Sequence, residues 1–283
     1  MATLLDGRAL AKRLNQGSVK PQAATLRESL GRPPGLAVVL VGEDPASEVY
    51  VRRKHLVAER VGFLHRQITK PADISQQELM DLVSALNNDP EIDGILVQMP
   101  LPRHLDATEI LDHIDPAKDV DGFHPVNTGL LSQGRPAFVA CTPLGVMKLI
   151  ESAEIPLSGK EAVVVGRSNI VGRPMAMLLE QAGCTVTVCH SRTADLEAHV
   201  RRAEVLVVAI GRPDFIPGEW VREGAVVLDV GINRREDGSL CGDVDFEGAS
   251  ERAGWITPVP GGVGPMTIAM LMHNTLRAAQ QRA

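Results

Sequence analysis

The sequence predicts an α/β protein of two domains, and three observations carry that prediction. Strand and helix signals alternate along the whole chain, the strand signals are continuous apolar runs, and a stretch rich in Asp, Pro and Gly interrupts the alternation near the middle. A run such as "LAVVLVG" (36–42) marks a strand covered on both faces. Repeated strand–helix–strand order implies parallel pairing with right-handed crossovers.

In chain order, the spacing predicts a helix over 5–30 ending at Gly31, then the strand 36–42. A helix over 45–61 follows, with Asp44 as its N-cap and Pro45 at its first position, where a missing N–H costs nothing. Next come a strand at 63–69, a helix at 75–88, the strand "GILVQMP" (94–100) and a helix near 107–114. Residues 115–140 break the rhythm and are read as the domain junction. A helix over 143–153 opens the second alternation, whose strands are 161–166, 185–190, 205–210, 225–231 and 255–260. A last helix, 266–280, closes the chain, with no internal repeat and no low-complexity segment before it.

Composition narrows the function classes. A chain of 283 residues, 44% hydrophobic and 23% charged, suits a soluble globular protein of two ordinary domains. A net charge of −6 argues against nucleic acid or an anionic membrane as the main partner. The start, "MATLLDGRAL", lacks the apolar core of a secretory signal, and no run is long enough to span a bilayer. Cys141, Cys184, Cys189 and Cys241 form no CxxC pair and are read as reduced thiols of a cytosolic protein. No His/Cys spacing supports a metal site.

Two regions carry chemistry. "VVVGRSNIVGRP" (163–174) reads as strand, tight turn and helix, with Gly166 for the turn and Gly172 for close backbone approach. The N–H groups at the helix start then suit a pyrophosphate; the alternative is a plain strand-to-helix turn. The next strand ends in "CHSRT" (189–193) without the acid that binds a ribose diol in an NAD site. Ser191, Arg192 and Arg167 suit a 2′-phosphate instead, which favours NADP; otherwise the arginines are ordinary loop residues. Glycines after 205–210 and 225–231 place further loops at the same sheet edge, where Ile232 suits the flat face of an adenine or nicotinamide.

The other region lies in the first half. Ser47, Tyr50, Lys54, Val57 and Val61 recur at steps of 3 and 4, so they share one helix face, while Arg52 and Glu59 face solvent. A lysine on the buried stripe is neutralised, paired or at a cleft border, unless it snorkels from the core edge. The Tyr-x-x-x-Lys spacing itself, shared with short-chain dehydrogenases, is only helical adjacency. Gln98 ends a buried strand in "VQMPLP" (97–102), and "KDVDGFHP" (118–125) supplies Asp119 and Asp121. Each has a bland alternative: backbone bonding for Gln98, turn chemistry for the aspartates. Together they can converge on a cleft facing the nucleotide domain. "TPVPGGVGPMT" (257–267) is a rigid bend with bare backbone, suited to a flat ligand or merely a connector.

These stretches, with "SEVYVRRK" (47–54), "CTPLG" (141–145) and "DVGIN" (229–233), occur in an order that resembles the bifunctional methylenetetrahydrofolate dehydrogenase/methenyltetrahydrofolate cyclohydrolase family over nearly the whole chain. "PGGVGPMT" and "GRSxIVGxP" are its most specific motifs here. The resemblance implies a three-layer α/β folate domain (1–138), a Rossmann-type NADP-binding domain (139–266) with a cleft between them, and a C-terminal helix (267–283) returning to the first domain. It implies a homodimer that oxidises 5,10-methylenetetrahydrofolate with NADP and hydrolyses the methenyl product to 10-formyltetrahydrofolate. It matches Lys54 to the catalytic lysine, Tyr50 and Gln98 to its companions, and Asp121 to the pterin-binding aspartate. Gly166, Arg167, Ser168, Ser191 and Ile232 match cofactor contacts, and Pro260, Gly261 and Gly262 fall in the substrate bend. Departures are Met99 for a leucine, Ala140 for a proline and His273 for a glutamate. A shikimate-type dehydrogenase and a non-catalytic binding module are the competing readings; substrate turnover separates them.

Overall fold

The computed structural model describes residues 1–43 and 45–282, with the backbone alone for 45–49. The expected N-cap Asp44 and the side chain of Ser47 therefore lie outside the described residues. The chain folds into two compact units, one of Lys12–Cys141 with Ile268 onward, the other of Met1–Ala11 with Thr142–Thr267.

The chain opens with β1 (Thr3–Leu4) and α1 (Gly7–Leu14), followed by a π-helical turn at Asn15–Val19 and α2 (Lys20–Leu30). One continuous helix over 5–30 was expected; the π turn around Gly17 splits it, and Gly31 closes α2 in the left-handed region at φ 71°. The first core is the parallel sheet β3–β2–β4, made by β2 (Gly35–Val41), β3 (Leu64–Lys70) and β4 (Gly94–Val97), with α3 (Pro45–Val61) between the first two. All seven residues of β2 are buried, as a strand covered on both faces requires. Ala37, Val39 and Val41 pack on Leu79, Val83 and Leu86 of α4 (Gln76–Asn88) and on Ile110 of α5 (Ala107–Asp112). A capping box between Ser75 and Glu78 starts α4.

The interval 115–140, read as holding the domain junction, is packed structure that ends next to the border of the two units at Cys141. Asp119, 2% exposed, accepts N–H bonds from Gly122, Phe123 and His124 and one from the Asn127 amide at 2.9 Å. That single carboxylate gathers the turn ahead of α6 (Pro125–Ser132).

The second core begins with α7 (Cys141–Ser152) and β5 (Glu161–Val165), then α8 (Gly172–Gln181), β6 (Thr185–Cys189), α9 (Leu196–Arg202) and β7 (Val205–Val208). It continues with β8 (Val226–Asp229), a hairpin of β9 (Asn233–Arg234) and β10 (Leu240–Cys241), α10 (Phe246–Arg252) and β11 (Trp255–Ile256). The large sheet runs β1–β11–β8–β7–β5–β6, parallel throughout. The chain leaves β5 for β6 on one side and returns to β7 on the other, which makes the carboxyl ends of β5 and β7 the switch point where such sheets bind ligands. The strand expected over 255–260 stops at Ile256, because Pro258 and Pro260 lack N–H donors for a ladder. Finally α11 (Val263–Gln280) carries Asn274, whose amide donates to the carbonyls of Val120 and Val139 at 2.9 and 3.0 Å.

Candidate active site

Among the described side chains of α3 the most buried are Val51, Lys54, Ala58 and Val61, again at steps of 3 and 4. The stripe is thus centred one residue away from the expected one: Tyr50 and Val57 sit at its margin, half-buried, and Lys54 at its middle. Lys54 is only 7% exposed, and its Nζ donates to Gln98 Oε1 at 2.8 Å. Gln98 is held in turn, its backbone N–H on Val39 O and its amide on Met99 O, both at 2.8 Å. Burial lowers the Lys54 pKa, while Asp121 and then Cys141 pull it upward. Asp121 answers in the opposite direction: burial lifts its carboxyl to about 6 against the Lys54 charge, with Asp119 adding to the rise. Burial also lifts the phenol of Tyr50.

Sequence reasoning passed over Cys141. Its thiol is buried, raised well above its ordinary value by desolvation and by Asp121, and donates to Val120 O at 3.3 Å. The only sequence signal for it was its place at the head of "CTPLG". Asp119 and Asp121, alike in sequence, separate cleanly: Asp119 is spent on the turn, and Asp121 is the one electrostatically coupled to Lys54.

The loop read from its sequence as a nucleotide site lies at the carboxyl end of β5. Gly166 has φ 121°, and a Cβ there would stand 2.3 Å from Ala209 O; a Cβ on Gly172 would stand 2.1 Å from Gly166 O. Both glycines therefore serve close backbone approach. The helix start does not offer its donors as expected. Ser168 Oγ accepts the N–H groups of Val171 and Gly172, and Ser168 O accepts that of Arg173. The N–H groups of residues 167–170, one step earlier and exposed, bond no acceptor among the described residues, so the loop rather than the helix presents the open donors. Ser191 and Arg192 stand exposed after β6, the strand next to β5, and neither Arg167 nor Arg192 forms an ion pair among the described residues. Ile232, 43% exposed, follows β8 at the same edge. This cradle of loop donors, glycines and unpaired arginines fits a dinucleotide phosphate.

Pro260 is exposed, Gly261 (φ 122°) accepts the Arg8 N–H at 2.9 Å, and Gly262 leaves no room for a Cβ, which would stand 2.6 Å from Thr257. The structure thus assembles Tyr50, Lys54, Gln98 and Asp121 within one unit, and the cofactor candidates with 260–262 within the other.

Comparison with known proteins adds the decisive observation. Residues 5–121 match the tetrahydrofolate dehydrogenase/cyclohydrolase catalytic domain, and residues 140–283 match the NAD(P)-binding domain of the same family. The chain belongs to the tetrahydrofolate dehydrogenase/cyclohydrolase family. It is 59% identical over 280 residues to the bifunctional protein FolD of Bordetella avium, covering 99% of this chain and 98% of that protein. The FolD dehydrogenase/cyclohydrolase structure from Campylobacter jejuni is 49% identical, covers 100% of both chains and superposes with a TM-score of 0.97. The Trypanosoma brucei FolD, solved with NADP and an inhibitor, is 40% identical over 99% of this chain and 98% of that one, with a TM-score of 0.95. The chain is accordingly a bifunctional enzyme. It oxidises 5,10-methylenetetrahydrofolate with a nicotinamide dinucleotide, then hydrolyses the methenyl product to 10-formyltetrahydrofolate. Among the described residues no group of His, Cys, Asp or Glu is placed to hold a metal, and no helix is long and apolar enough to cross a membrane.

Proposed function

We propose that Lys54 is the general base of the hydration step, held by Gln98 and flanked by Tyr50 and Asp121, and that NADP is the oxidant of the first step. One observation carries the first assignment: the Lys54 amine is buried, its pKa is lowered, and its hydrogen-bond partner is a neutral amide at 2.8 Å rather than a carboxylate. NADP supplies the hydride acceptor. The oxidation leaves a delocalised methenyl cation, so the folate side mainly has to hold the bridge carbon in line. Asp121 holds the pterin, and Pro260, Gly261 and Gly262 offer flat backbone to the substrate. In hydration, water adds to the bridge carbon as Lys54 takes its proton. The carbon–N5 bond then breaks as N5 receives that proton from Lys54. The added hydroxyl gives its own proton up to the freed amine and on to solvent as it becomes the formyl C=O. The formyl group stays on N10, with one proton released overall.

The choice of NADP over NAD draws on the missing acid in "CHSRT", on the unpaired Arg167 and Arg192, and on the NADP held by the trypanosomal relative. Gly166, Arg167, Ser168, Ser191 and Ile232 form its site. The family likeness further supports a cytoplasmic homodimer that supplies one-carbon units for purine biosynthesis, with neither nucleic acid nor membrane as partner. The proposed domain limits are 1–138, 139–266 and 267–283.

A coupled assay with methylenetetrahydrofolate, following methenyl and formyl products with NADP or NAD, tests both assignments. Lys54→Met is expected to abolish formyl release while the variant stays folded. Full hydration by that variant overturns the base, and equal or better turnover with NAD overturns the cofactor.

A further inference from the structure

Two loops at the carboxyl edge of the large sheet owe their shape to one buried carboxylate that lies in neither. Asp243, fully buried, accepts the N–H groups of Ile210 (2.7 Å) and Gly211 (3.0 Å) on Oδ2. On Oδ1 it accepts the N–H of Arg212 (2.9 Å) and the side-chain amide of Asn233 (2.8 Å). Three successive N–H groups converging on one point form the concave array that proteins use to hold anions. Here the chain fills the array with its own side chain, so the turn after β7 is fixed from beneath while its outer face stays exposed.

Asp243 is itself fixed. Its N–H and that of Val244 donate to the two oxygens of Asp229 at 2.9 Å each, and the N–H of Gly231 donates to Asp229 at 3.0 Å. The two carboxylates leave no room for neighbouring side chains. A Cβ on Gly231 would stand 2.1 Å from Asp243 Oδ1, and one on Gly242 would stand 1.8 Å from Asp229 Oδ2. Ile232 is thus gripped on both sides, by Gly231 packed on Asp243 and by Asn233 bonded to it. The hairpin β9–β10 serves to bring Asp243 back under the sheet edge that Asp229 ends.

We propose that Asp243 is a positioning residue for the dinucleotide: it sets the 210–212 turn and the 231–233 segment in the geometry that receives the cofactor. The inference rests on the reading of this edge as the NADP site. The isosteric change Asp243→Asn tests it, because an amide has one acceptor oxygen. Whichever way it is turned, two of the four donors then face an NH₂ group. The KM for NADP is expected to rise about tenfold or more, the consequence of two buried donors left unmet. The turnover number at saturating NADP is expected to stay within about threefold, since no reacting atom is touched. Cyclohydrolase activity on added methenyltetrahydrofolate and the melting temperature serve as controls for the fold. Asn233→Ala, which removes one donor and keeps the carboxylate, should raise the same KM less, and it decides the matter if the first variant does not fold. A parallel loss of both activities with a lowered melting temperature, or an unchanged KM for NADP in both variants while Ile232→Ala raises it, overturns the role of Asp243. If Ile232→Ala and Ser191→Ala also leave that KM unchanged, it is the placement of NADP at this edge that fails, and this inference with it.

Discussion

Replacing Gln98 by Glu is the sharpest probe of the lysine. The change keeps the shape of the side chain and puts a carboxylate where a neutral oxygen now accepts from Lys54 Nζ at 2.8 Å. At an effective dielectric constant near 20, two unit charges at that separation attract by about 6 kcal/mol, which is an upper bound for the stabilisation of the ammonium. Desolvating the new carboxylate offsets part of this. If only about 2 kcal/mol survives, the neutral amine at a given pH still falls about 30-fold. Burial now lowers the Lys54 pKa, and the substitution works against that shift, so the direction is upward. Formyl production at neutral pH should therefore drop by at least that factor and recover as the pH is raised, the rising limb of the pH–rate profile having moved to higher pH. The assay is initial-rate hydrolysis of methenyltetrahydrofolate, corrected for the uncatalysed reaction, from pH 6 upward. The hydride step, which asks for no base, should lose much less. A variant with the wild-type pH limb and undiminished hydration would refute the neutral amine as base.

Two further outcomes follow from the same unit. The Asp121 carboxyl, lifted to about 6, is ionised above that pH and neutral below it. The KM for folate is expected to rise as pH falls through about 6, and Asp121→Asn should show the high value at every pH while the KM for NADP is unchanged; a variant that keeps the pH dependence assigns it elsewhere. Asn274→Ala removes the donor shared by the Val120 and Val139 carbonyls, of which the Val120 carbonyl keeps the Cys141 thiol as a second, weak donor and Val139 is half-buried. It should cost about 1–3 kcal/mol in urea unfolding, and a loss under about 0.5 kcal/mol would show that the thiol and water replace the amide.

What could be read in the sequence, and what could not, divides by distance along the chain. Apolar runs and helical steps are local, so the strands and the burial of Lys54 were legible. The step rule nevertheless tolerates a shift of one residue, and the stripe proved to be centred on Val51 and Ala58 rather than on Tyr50 and Val57. The close approach of the loop after β5, proposed above for the dinucleotide, was legible in its glycines, but the open donors were not, because Ser168 accepts the first N–H groups of α8 and leaves the preceding ones open. From their spacing alone Asp119 and Asp121 were interchangeable, and only the family resemblance singled out Asp121; what parts them physically is Asn127, eight residues past Asp119, and Lys54, far upstream. Asp243 gave no signal at all, since the backbone groups it holds lie 31 to 33 residues earlier. The packing of 115–140 was hidden for the same reason: Asp and Gly signal a turn locally, and only the carboxylate of Asp119 reveals that the turn is packed.

Why the lysine partner should be an amide follows from the titrations of its neighbours. Burial moves Lys54 down and Asp121 up, so it draws the two groups toward the neutral forms that an acid–base pair exchanges. Each opposes the shift of the other, and a second carboxylate next to the amine would restore the ammonium outright. Cys141 fits the same scheme: a thiol raised well above its ordinary range stays protonated, adds no charge, and donates to the Val120 carbonyl beside Asp121. Asn274 donates to that carbonyl as well, and Gln98 fixes the lysine while leaving its charge unassisted. Neutral donors and acceptors thus hold the Lys54 amine, and Asp119 is the charged neighbour that adds to the rise of Asp121. Such a frame orients both groups without deciding where the proton resides, which is what the proposed role of Lys54 as base requires.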